Sequence, residues 1–334
     1  MSTIADVAAR AGVSKATASR ALSGRGYVSA ETRALVSAAA SELSYVAHSS
    51  ATSLATGRTS TIGVILPTVG RWYFSELLSG VQSALLAHDY DLALYGVPEG
   101  SPTRDRVFEA VLPRRRFDGI IAVGIQPRSH ELERLSALDR PLVTVGPYHA
   151  GTSSVSIDDA AAGRIATEHL IDLGHEAIAF IGASDDDANA GFGDACRLQG
   201  YREAMDAAGL GARISVSPAA SDMPSGYQSA VDLLGDRRTR PSAVVGVCDE
   251  TAISAIIAAR RLGIAVPTEL SVVGIDDHQH AEMFALTTIR QQPRDQGVAA
   301  VGLLLHQLAH PDAGVEHVVA ASALVVRNSS AAPR

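Results

Sequence analysis

The sequence lacks the residues that define disulfide-rich and membrane-spanning proteins. Its 334 residues include two cysteines, and aromatic residues make up 4% of the chain. Two cysteines cannot form a disulfide framework, and no apolar run approaches the length of a membrane span. The first residues also lack the basic, apolar and small-residue pattern of a signal peptide. We therefore expect a cytoplasmic protein with no membrane partner.

Lysine is nearly absent, and the position of the single lysine is informative. Lys15 lies within residues 1–58, which contain six basic and three acidic side chains, whereas the whole chain has a net charge of −8. The remaining 276 residues therefore have a net charge of −11. Because phosphates attract positive charge, this distribution directs one end of the chain toward a nucleic acid. A hydrophobic content of 46% over this length allows two or three globular domains.

Two short helices joined by a turn at Gly12 are predicted for residues 3–22. Thr3 and Asp6 resemble a capping box, and Ser14 can cap the second helix. Apolar residues recur at helical spacing along one face of each helix. The outer face of the second helix is polar and basic and includes Lys15, Ala16, Thr17, Ser19 and Arg20. A short exposed helix of this kind fits the major groove, so the sequence predicts duplex DNA as a partner.

The rest of the chain alternates predicted strands and helices. A third helix over 31–43, capped by Ser29, leads into a small-residue linker over 45–57. A first series has strands at 62–66, 91–95, 119–123 and 142–145 and a helix at 74–87. A second series has strands at 178–181, 243–247 and 270–275, with amphipathic segments at 160–173, 197–208, 225–235 and 250–262. This alternation predicts two α/β lobes with parallel sheets, in which ligands bind beyond the carboxyl ends of the strands.

Several motifs, in this order, resemble the lactose-repressor (LacI/GalR) family of bacterial transcription regulators. They are IADVAARAGVSKATASRAL, GYVSAETR, TIGVILP, DDAAAGRIATEHLIDLGHEAIAFIG, RLQGYREAM, VPTELSVVGIDD and LTTIRQQP. The resemblance implies an all-α helix-turn-helix headpiece at 1–45, a hinge helix at 46–58 and a periplasmic-binding-protein-like α/β core at 60–330. The first lobe of this core would comprise about 60–160 with 292–326, and the second about 162–290.

The resemblance also assigns DNA contacts. Thr3 matches a phosphate contact, and the surface of the recognition helix matches Ser14, Lys15, Ala16, Thr17, Ser19 and Arg20. Among these, Lys15, Ala16 and Arg20 fall where the family reads base edges. Leu54 matches a hinge leucine that is wedged into a minor-groove step and kinks the duplex. The alternative for Leu54 is packing against the core.

Three polar residues match the family's ligand contacts: Arg197, Cys248 and Asp276. Trp72, Tyr73 and Phe74 follow the first strand and could supply aromatic faces for a sugar ring. Tyr73 and Phe74 can instead be core residues at a helix start, and Asp276 can cap a turn. Cys248 replaces a usual asparagine and Trp72 a usual proline, so no particular sugar is implied.

Other chemistries have weaker support in the sequence. Asp276, Asp277, His278, His280 and Cys248 have the ligand types for zinc but lack paired ligand spacings. Cys196 and Cys248 both lie at predicted pocket positions, which suggests a redox sensor. Two cysteines in a large chain are more often unreactive packing residues. The segment 191–196 lacks the last glycine of a dinucleotide loop, and Gly-x-Ser-x-Gly, P-loop and His-Glu-x-x-His motifs are absent. We therefore expect no enzyme activity, no metal and no cofactor.

The resemblance implies a DNA-binding transcription regulator, acting as a repressor of a carbohydrate-uptake or catabolic operon. It would bind a pseudo-palindromic operator as a homodimer and respond to a small sugar-like effector. A tetramer is less expected, because no leucine heptad follows Val325. The alternative from another class is a solute-binding sugar receptor, which would not need the headpiece. Whether the effector induces or co-represses stays open at this point.

Overall fold

The computed structural model describes residues 2–23, 26–45, 58–114, 116–125, 127–146, 151–183 and 192–334. It divides into two compact units, Met1–Thr61 with Arg116–Asp118, and Ile62–Arg115 with Gly119–Arg334. The predicted hinge over 46–58, including Leu54, lies outside the described residues except for Arg58.

No helix in the described part of the chain combines the length and the apolar character needed to span a membrane.

The first unit contains helices α1 (Ile4–Arg10), α2 (Lys15–Ser23) and α3 (Ala30–Glu42). The predicted capping box of Thr3 and Asp6 is present, and Ser29 caps α3. Ser14 Oγ accepts a hydrogen bond of 3.1 Å from the Thr17 N–H, which confirms the predicted cap of α2. The three helices bury a small core dominated by alanine, formed by Val7, Ala8, Ala18, Ala21, Val36, Ala39 and Ala40.

The first lobe of the second unit is built on a six-stranded sheet. Its strands are β1 (Thr61–Leu66), β2 (Asp91–Gly96), β3 (Gly119–Val123), β4 (Leu142–Val145), β5 (Ser153–Ser156) and β11 (His317–Val319). They lie in the order β11-β5-β4-β3-β1-β2. The helices are α4 (Trp72–Leu86), α5 (Pro102–Arg106), α6 (Ser129–Ser136) and α11 (Pro293–Ala309), with a π-helical turn at Val107–Val111.

The second lobe repeats this plan with strands in the order β12-β10-β9-β8-β6-β7. They are β6 (Ile178–Gly182), β7 (Ser215–Pro218), β8 (Ala243–Gly246), β9 (Ser271–Asp276), β10 (Thr287–Arg290) and β12 (Ala323–Val325). The helices are α7 (Asp159–Asp172), α8 (Phe192–Ala207), α9 (Met223–Gly235) and α10 (Asp249–Arg261). The predicted parallel pairing holds for β6 to β10, whereas β12 pairs antiparallel to β10.

The chain crosses between the lobes after β5, after β10 and between β11 and β12. The third crossing corrects the predicted extent of the first lobe, because residues 323–326 were assigned to it. In the structure β12 belongs to the second sheet, where Ile289 pairs with Leu324. The following segment stays there: the Ser329 hydroxyl accepts from the Thr287 N–H at 2.8 Å, and the Val272 N–H donates to the Ser329 carbonyl at 2.8 Å.

A reciprocal pair of glycines brings two helices together in each lobe. In the first lobe, a Cβ atom on Gly80 of α4 would lie 2.0 Å from the Arg294 carbonyl oxygen, and one on Gly297 of α11 would lie 2.3 Å from the Leu77 oxygen. In the second lobe, Gly163 of α7 and Gly200 of α8 are equally close to opposing backbone. The absent side chains allow these backbones to touch, which sets the distance between side chains that project from them.

Candidate functional site

The outer face of α2 is open to solvent. Four of the predicted base or phosphate contacts on this helix are exposed, namely Lys15, Ala16, Ser19 and Arg20, and so are Ser14 and Thr3. Thr17 is partly buried, and its N–H and its hydroxyl both contact the Ser14 hydroxyl. Thr3 is held by Asp6, whose pKa is lowered by hydrogen bonds from Thr3. The headpiece thus presents a short polar and basic helix, which is the geometry that a major groove accepts.

A cavity of about 860 Å³ lies between the two lobes of the second unit. Its lining comes from the carboxyl ends of strands in both sheets, including Pro67 after β1, Gly124 after β3, Ala183 after β6 and Asp276 at the end of β9. In open α/β sheets this is where ligands bind. The structure therefore has a cavity at the strand ends, where the sequence predicts ligand binding.

Arg197 and Asp276 meet on the second-lobe wall of this cavity. The Arg197 guanidinium donates from Nε to Asp159 Oδ1 and from a terminal nitrogen to the Val247 carbonyl, both at 2.8 Å. The same group lies 3.7 Å from Asp276 Oδ1. Gly163 and Gly200 bring α7 close to α8, so that Asp159 of α7 reaches Arg197 of α8. A cation between two carboxylates offers donors and acceptors side by side, as neighbouring hydroxyl groups require.

Asp276 has an unusual backbone conformation. Its φ angle is 137°, in a region that side-chain-bearing residues rarely adopt. Its carboxylate accepts a 2.6 Å hydrogen bond from the Gln291 side chain, and the Gln291 N–H donates to its carbonyl at 3.3 Å. Such conformations occur where the surroundings hold them, often at ligand sites. Asp276 itself is one of the residues that line the cavity.

A second carboxyl group, Asp249, lies buried beneath the wall. It accepts hydrogen bonds from the Thr288 hydroxyl at 2.6 Å and from the His278 N–H at 2.7 Å. Gly274 makes room for it, since a Cβ atom there would lie 2.1 Å from Asp249 Oδ1. Burial, reinforced by the Asp276 charge, raises the pKa of Asp249 to about 8. Burial raises the pKa of Asp276 to about 6, against the opposing effect of Arg197.

Of the predicted aromatic residues, Tyr73 and Phe74 line the cavity. Phe74 is 6% exposed, and its ring stands edge-on to Tyr73 with centroids 5.4 Å apart. Trp72 lies outside the lining and stacks obliquely on His278, with ring centroids 4.9 Å apart. Since Tyr73 and Phe74 also pack in the first-lobe core, both functions considered for them are compatible with the structure.

The Tyr73 hydroxyl begins a chain of hydrogen bonds that runs between the lobes. It donates to Gln296 Oε1 at 2.9 Å, Gln296 donates to Gln291 Oε1 at 2.9 Å, and Gln291 donates to Asp276 Oδ1 at 2.6 Å. Both glutamines are at most 4% exposed. The chain links α4 and α11 of the first lobe to the Asp276 carboxylate of the second. Sequence reasoning did not identify either glutamine.

Cys248 is placed behind the cavity wall. Its side chain is fully buried, and its thiol contacts the Thr251 hydroxyl at 3.4 Å and the Ser221 carbonyl at 3.8 Å. Cys248 is not among the residues that line the cavity, so its predicted ligand contact stays a prediction. Burial raises the pKa of Cys248 to about 11 and also raises that of Cys196. Reactive cysteines have lowered pKa values, so the raised pKa of each thiol does not favour a redox role.

A buried cluster of charged residues forms part of the first-lobe wall. Arg104 is 1% exposed and makes two hydrogen bonds to Glu131, at 2.8 Å and 2.7 Å. Glu99 joins the cluster by pairing with Arg104 and with Arg128, the latter at 2.7 Å. Glu99, Arg104 and Arg128 line the cavity. These residues lie in segments of the sequence without a motif, and no local signal indicated them.

Arg71 also lines the cavity. Its Nε is 3.5 Å from Glu250 Oε2, and its guanidinium lies 5.5 Å from the centre of the Phe74 ring. Among the described residues, this Nε is the buried side-chain polar atom that has no hydrogen-bond partner. Within the same residues no cluster of three or more histidine, cysteine, aspartate or glutamate side chains has the arrangement of a metal site.

Both units of the chain match families of known proteins. Residues 3–48 match a family described as bacterial regulatory proteins, lacI family, and residues 167–330 match the periplasmic binding protein-like domain. The chain is 32% identical to the HTH-type transcriptional repressor PurR of Proteus mirabilis over 338 residues, covering 99% of this chain and 97% of that protein. It is also similar to the lac repressor dimer bound to operator and the anti-inducer ONPF, with 25% identity, 99% of both chains covered and a TM-score of 0.87. For a complex of the transcriptional regulator CelR with cellobiose, the identity is 27%, coverage is 98% of this chain and 100% of that chain, and the TM-score is 0.72.

Proposed function

The chain belongs to the lacI family of bacterial regulatory proteins, and we propose that it represses transcription by reading a pseudo-palindromic operator through α2. The observation that carries this proposal is the exposed polar face of α2 within the part of the chain that matches the family. Lys15 and Arg20 suit the acceptors of guanine, and the Ala16 methyl suits a thymine methyl or a close fit. Thr3 and the start of α2, including Ser14, Thr17 and Ser19, would contact the backbone and fix the register.

We propose a homodimer that places two copies of α2 in successive major grooves. The likeness to an operator-bound repressor dimer supports this assembly. Leu54, in the segment between headpiece and core, would enter the minor groove between the half-sites. Because the proposed partner is the bacterial chromosome, we place the protein in the cytoplasm.

The ligand of the cavity is proposed to be a small sugar or a related polyol. Arg197 would donate to its hydroxyl oxygens, Asp276 would accept from its hydroxyl groups, and Tyr73 and Phe74 would contact the ring. The likeness to a cellobiose-bound regulator supports a sugar. The ligand changes DNA affinity only through unequal affinity for two arrangements of the lobes.

Selection of binding sequences from a random duplex pool tests the DNA-reading face. We expect Lys15→Ala and Arg20→Ala each to weaken binding to the selected sequence by about tenfold or more, since one base contact contributes about 1–3 kcal/mol. Binding to random duplex should change much less. Arg164→Ala, which removes a half-buried cation of α7 that pairs with Glu168, is the control. Equal loss on selected and random DNA would show that these side chains contact phosphates only.

A thermal-shift screen with ribose, cellobiose and other sugars tests the ligand class, because a ligand of the folded core raises its melting temperature. A sugar that stabilises the wild-type protein should fail to stabilise Arg197→Met, which keeps the volume of the side chain but removes its donors. A normal shift in this variant would place the ligand elsewhere.

A further inference from the structure

We propose that Glu250 is a positioning residue that joins the two lobes beside the cavity, fixing the start of α4 through Trp72 and holding Arg71 in the cavity wall. This goes beyond the proposed function, because it concerns how the lobes are held and requires no particular ligand. Glu250 is on the first turn of α10 in the second lobe, whereas Arg71 and Trp72 are at the start of α4 in the first lobe.

The first helix of the first lobe lacks a cap of its own. Arg71 is the N-cap residue of α4, and its side chain makes no capping hydrogen bond. The Trp72 N–H instead donates to Glu250 Oε1 at 3.1 Å. A helix start leaves N–H groups that need an acceptor, and a carboxylate is a strong one. The second lobe therefore supplies the cap that the first lobe does not.

The other oxygen of the same carboxylate forms an ion pair with Arg71, without a hydrogen bond. Glu250 Oε2 lies 3.5 Å from Arg71 Nε, and the two side chains are only 15% and 25% exposed. Charges of opposite sign interact more strongly when they are partly shielded from water. Glu250 thus faces an N–H of α4 with one oxygen and a cation with the other.

Two helix starts meet at this carboxylate. Glu250 is in the first turn of its own helix α10, where the positive end of the helix dipole stabilises a negative charge. The start of α4 approaches it from the other lobe and adds a second positive end. Separating the lobes would leave the start of α4 without its cap. It would also remove the positive end of the α4 dipole from the Glu250 carboxylate.

An aromatic contact between Trp72 and His278 also joins the two lobes at this place. The Trp72 ring stacks obliquely on His278, which follows β9 in the second lobe, with centroids 4.9 Å apart. The His278 N–H is bound to Asp249, the neighbour of Glu250 on α10. Trp72 is therefore held through its backbone by Glu250 and through its ring by His278, both from the opposite lobe.

The chain contains one tryptophan, so its fluorescence reports on this junction alone. We expect Glu250→Ala to raise the acrylamide quenching constant of Trp72 at least twofold and to shift its emission to longer wavelength. Glu250→Gln keeps an oxygen for the Trp72 N–H but loses the charge near Arg71, and should give a smaller change. Far-UV circular dichroism checks that each variant is folded.

Glu269→Ala is the matched control, because Glu269 is an exposed carboxylate of the second lobe with a local hydrogen bond to the Ala265 N–H at 2.9 Å. This variant should leave the quenching constant of Trp72 at the wild-type value even if it lowers the stability of the second lobe. If Glu250→Ala loses its fold, Glu250→Gln decides. The proposal is overturned if the folded Glu250 variants quench as the wild type does, or if Glu269→Ala raises quenching equally.

Discussion

The surroundings of Asp249 oppose its charge. It is fully buried, and its hydrogen-bond donors are the neutral Thr288 hydroxyl and the His278 N–H. In the unfolded chain the group titrates near its ordinary value of 3.8, whereas burial in the folded protein raises its pKa to about 8. The folded state therefore binds more protons than the unfolded state between these values. The contribution of Asp249 to stability is present at low pH and is lost as the pH rises toward 8.

Asp249→Asn tests this contribution, because an amide cannot ionise. Relative to the wild-type protein, the variant should become steadily more stable as the pH is raised from about 5 to about 8, as measured by urea unfolding at several pH values. Asp277→Asn is the control: pairing with Arg290 and Arg327 lowers the pKa of Asp277, against the effect of its burial. Its difference from wild type should be constant over this range. A constant difference for Asp249→Asn as well would contradict the prediction.

Single residues could be predicted where a motif marked them. Arg197 and Asp276 were placed by family resemblance and lie together on the cavity wall. Arg104 and Gln296 belong to no recognised motif, because their partners Glu131 and Tyr73 are distant in the sequence. Cys248 was also placed by family resemblance; its buried thiol contacts Thr251 and Ser221, and its ligand contact stays a prediction.

At the scale of helices, the glycine pairs determine how closely two helices approach. Gly297→Ala should destabilise the protein by about 1–3 kcal/mol, because the new methyl group would meet the Leu77 carbonyl at 2.3 Å. Gly302 of the same helix α11 is exposed, and a Cβ atom there meets nothing within 4 Å. Gly302→Ala should therefore stabilise by about 0.5–1 kcal/mol, through helix propensity alone.

Urea unfolding of both glycine variants measures these opposite effects. Equal stabilisation by both would show that α4 and α11 can separate to admit a methyl group at no cost. Because both glycines belong to one helix, the difference between the variants isolates the close approach from helix propensity.

Elements with strong apolar periodicity were predicted to within a few residues. The predicted strand at 119–123 and the predicted helix at 160–173 correspond to Gly119–Val123 and Asp159–Asp172. The strands β5, β7, β10, β11 and β12 lack such a signal. Three of these lie at sheet edges, where exposed or partly exposed residues replace the apolar run of a central strand. β5 is buried but consists of Ser153–Ser156, with one valine.

At the scale of the whole molecule, the two compact units have cores of very different size. Five of the seven buried residues that form the headpiece core are alanines, whereas the lobes bury many large aliphatic side chains. A small core supplies little stability. We expect calorimetry to show two transitions, with the headpiece melting at the lower temperature.

Val36→Ala and Val272→Ala assign these two transitions. Both valines are fully buried, one in α3 of the headpiece and one in β9 of the second lobe. Each substitution should cost about 2 kcal/mol, which corresponds to several degrees in the transition of its own unit. A shift of both transitions by either variant would show that the units unfold together.

The two-lobed organisation could be predicted from the alternation of strands and helices, but the path of the chain between the lobes could not. Residues 317–319 and 323–325 are similar short apolar segments, yet the first joins one sheet and the second joins the other. Which sheet a short edge strand joins depends on backbone partners that are unpaired elsewhere in the fold, and local sequence does not report them.

The third crossing has a consequence for synthesis on the ribosome. Domains fold as they emerge, starting from the N-terminus. The headpiece occupies residues 2–45 and needs no residue beyond 118, whereas the second lobe needs β12 and the hydrogen bonds of Ser329 to complete its sheet. A nascent chain therefore contains the whole headpiece long before it contains the residues that complete its second lobe. Translation itself therefore sets the order in which the two units can be completed, the headpiece first and the second lobe last.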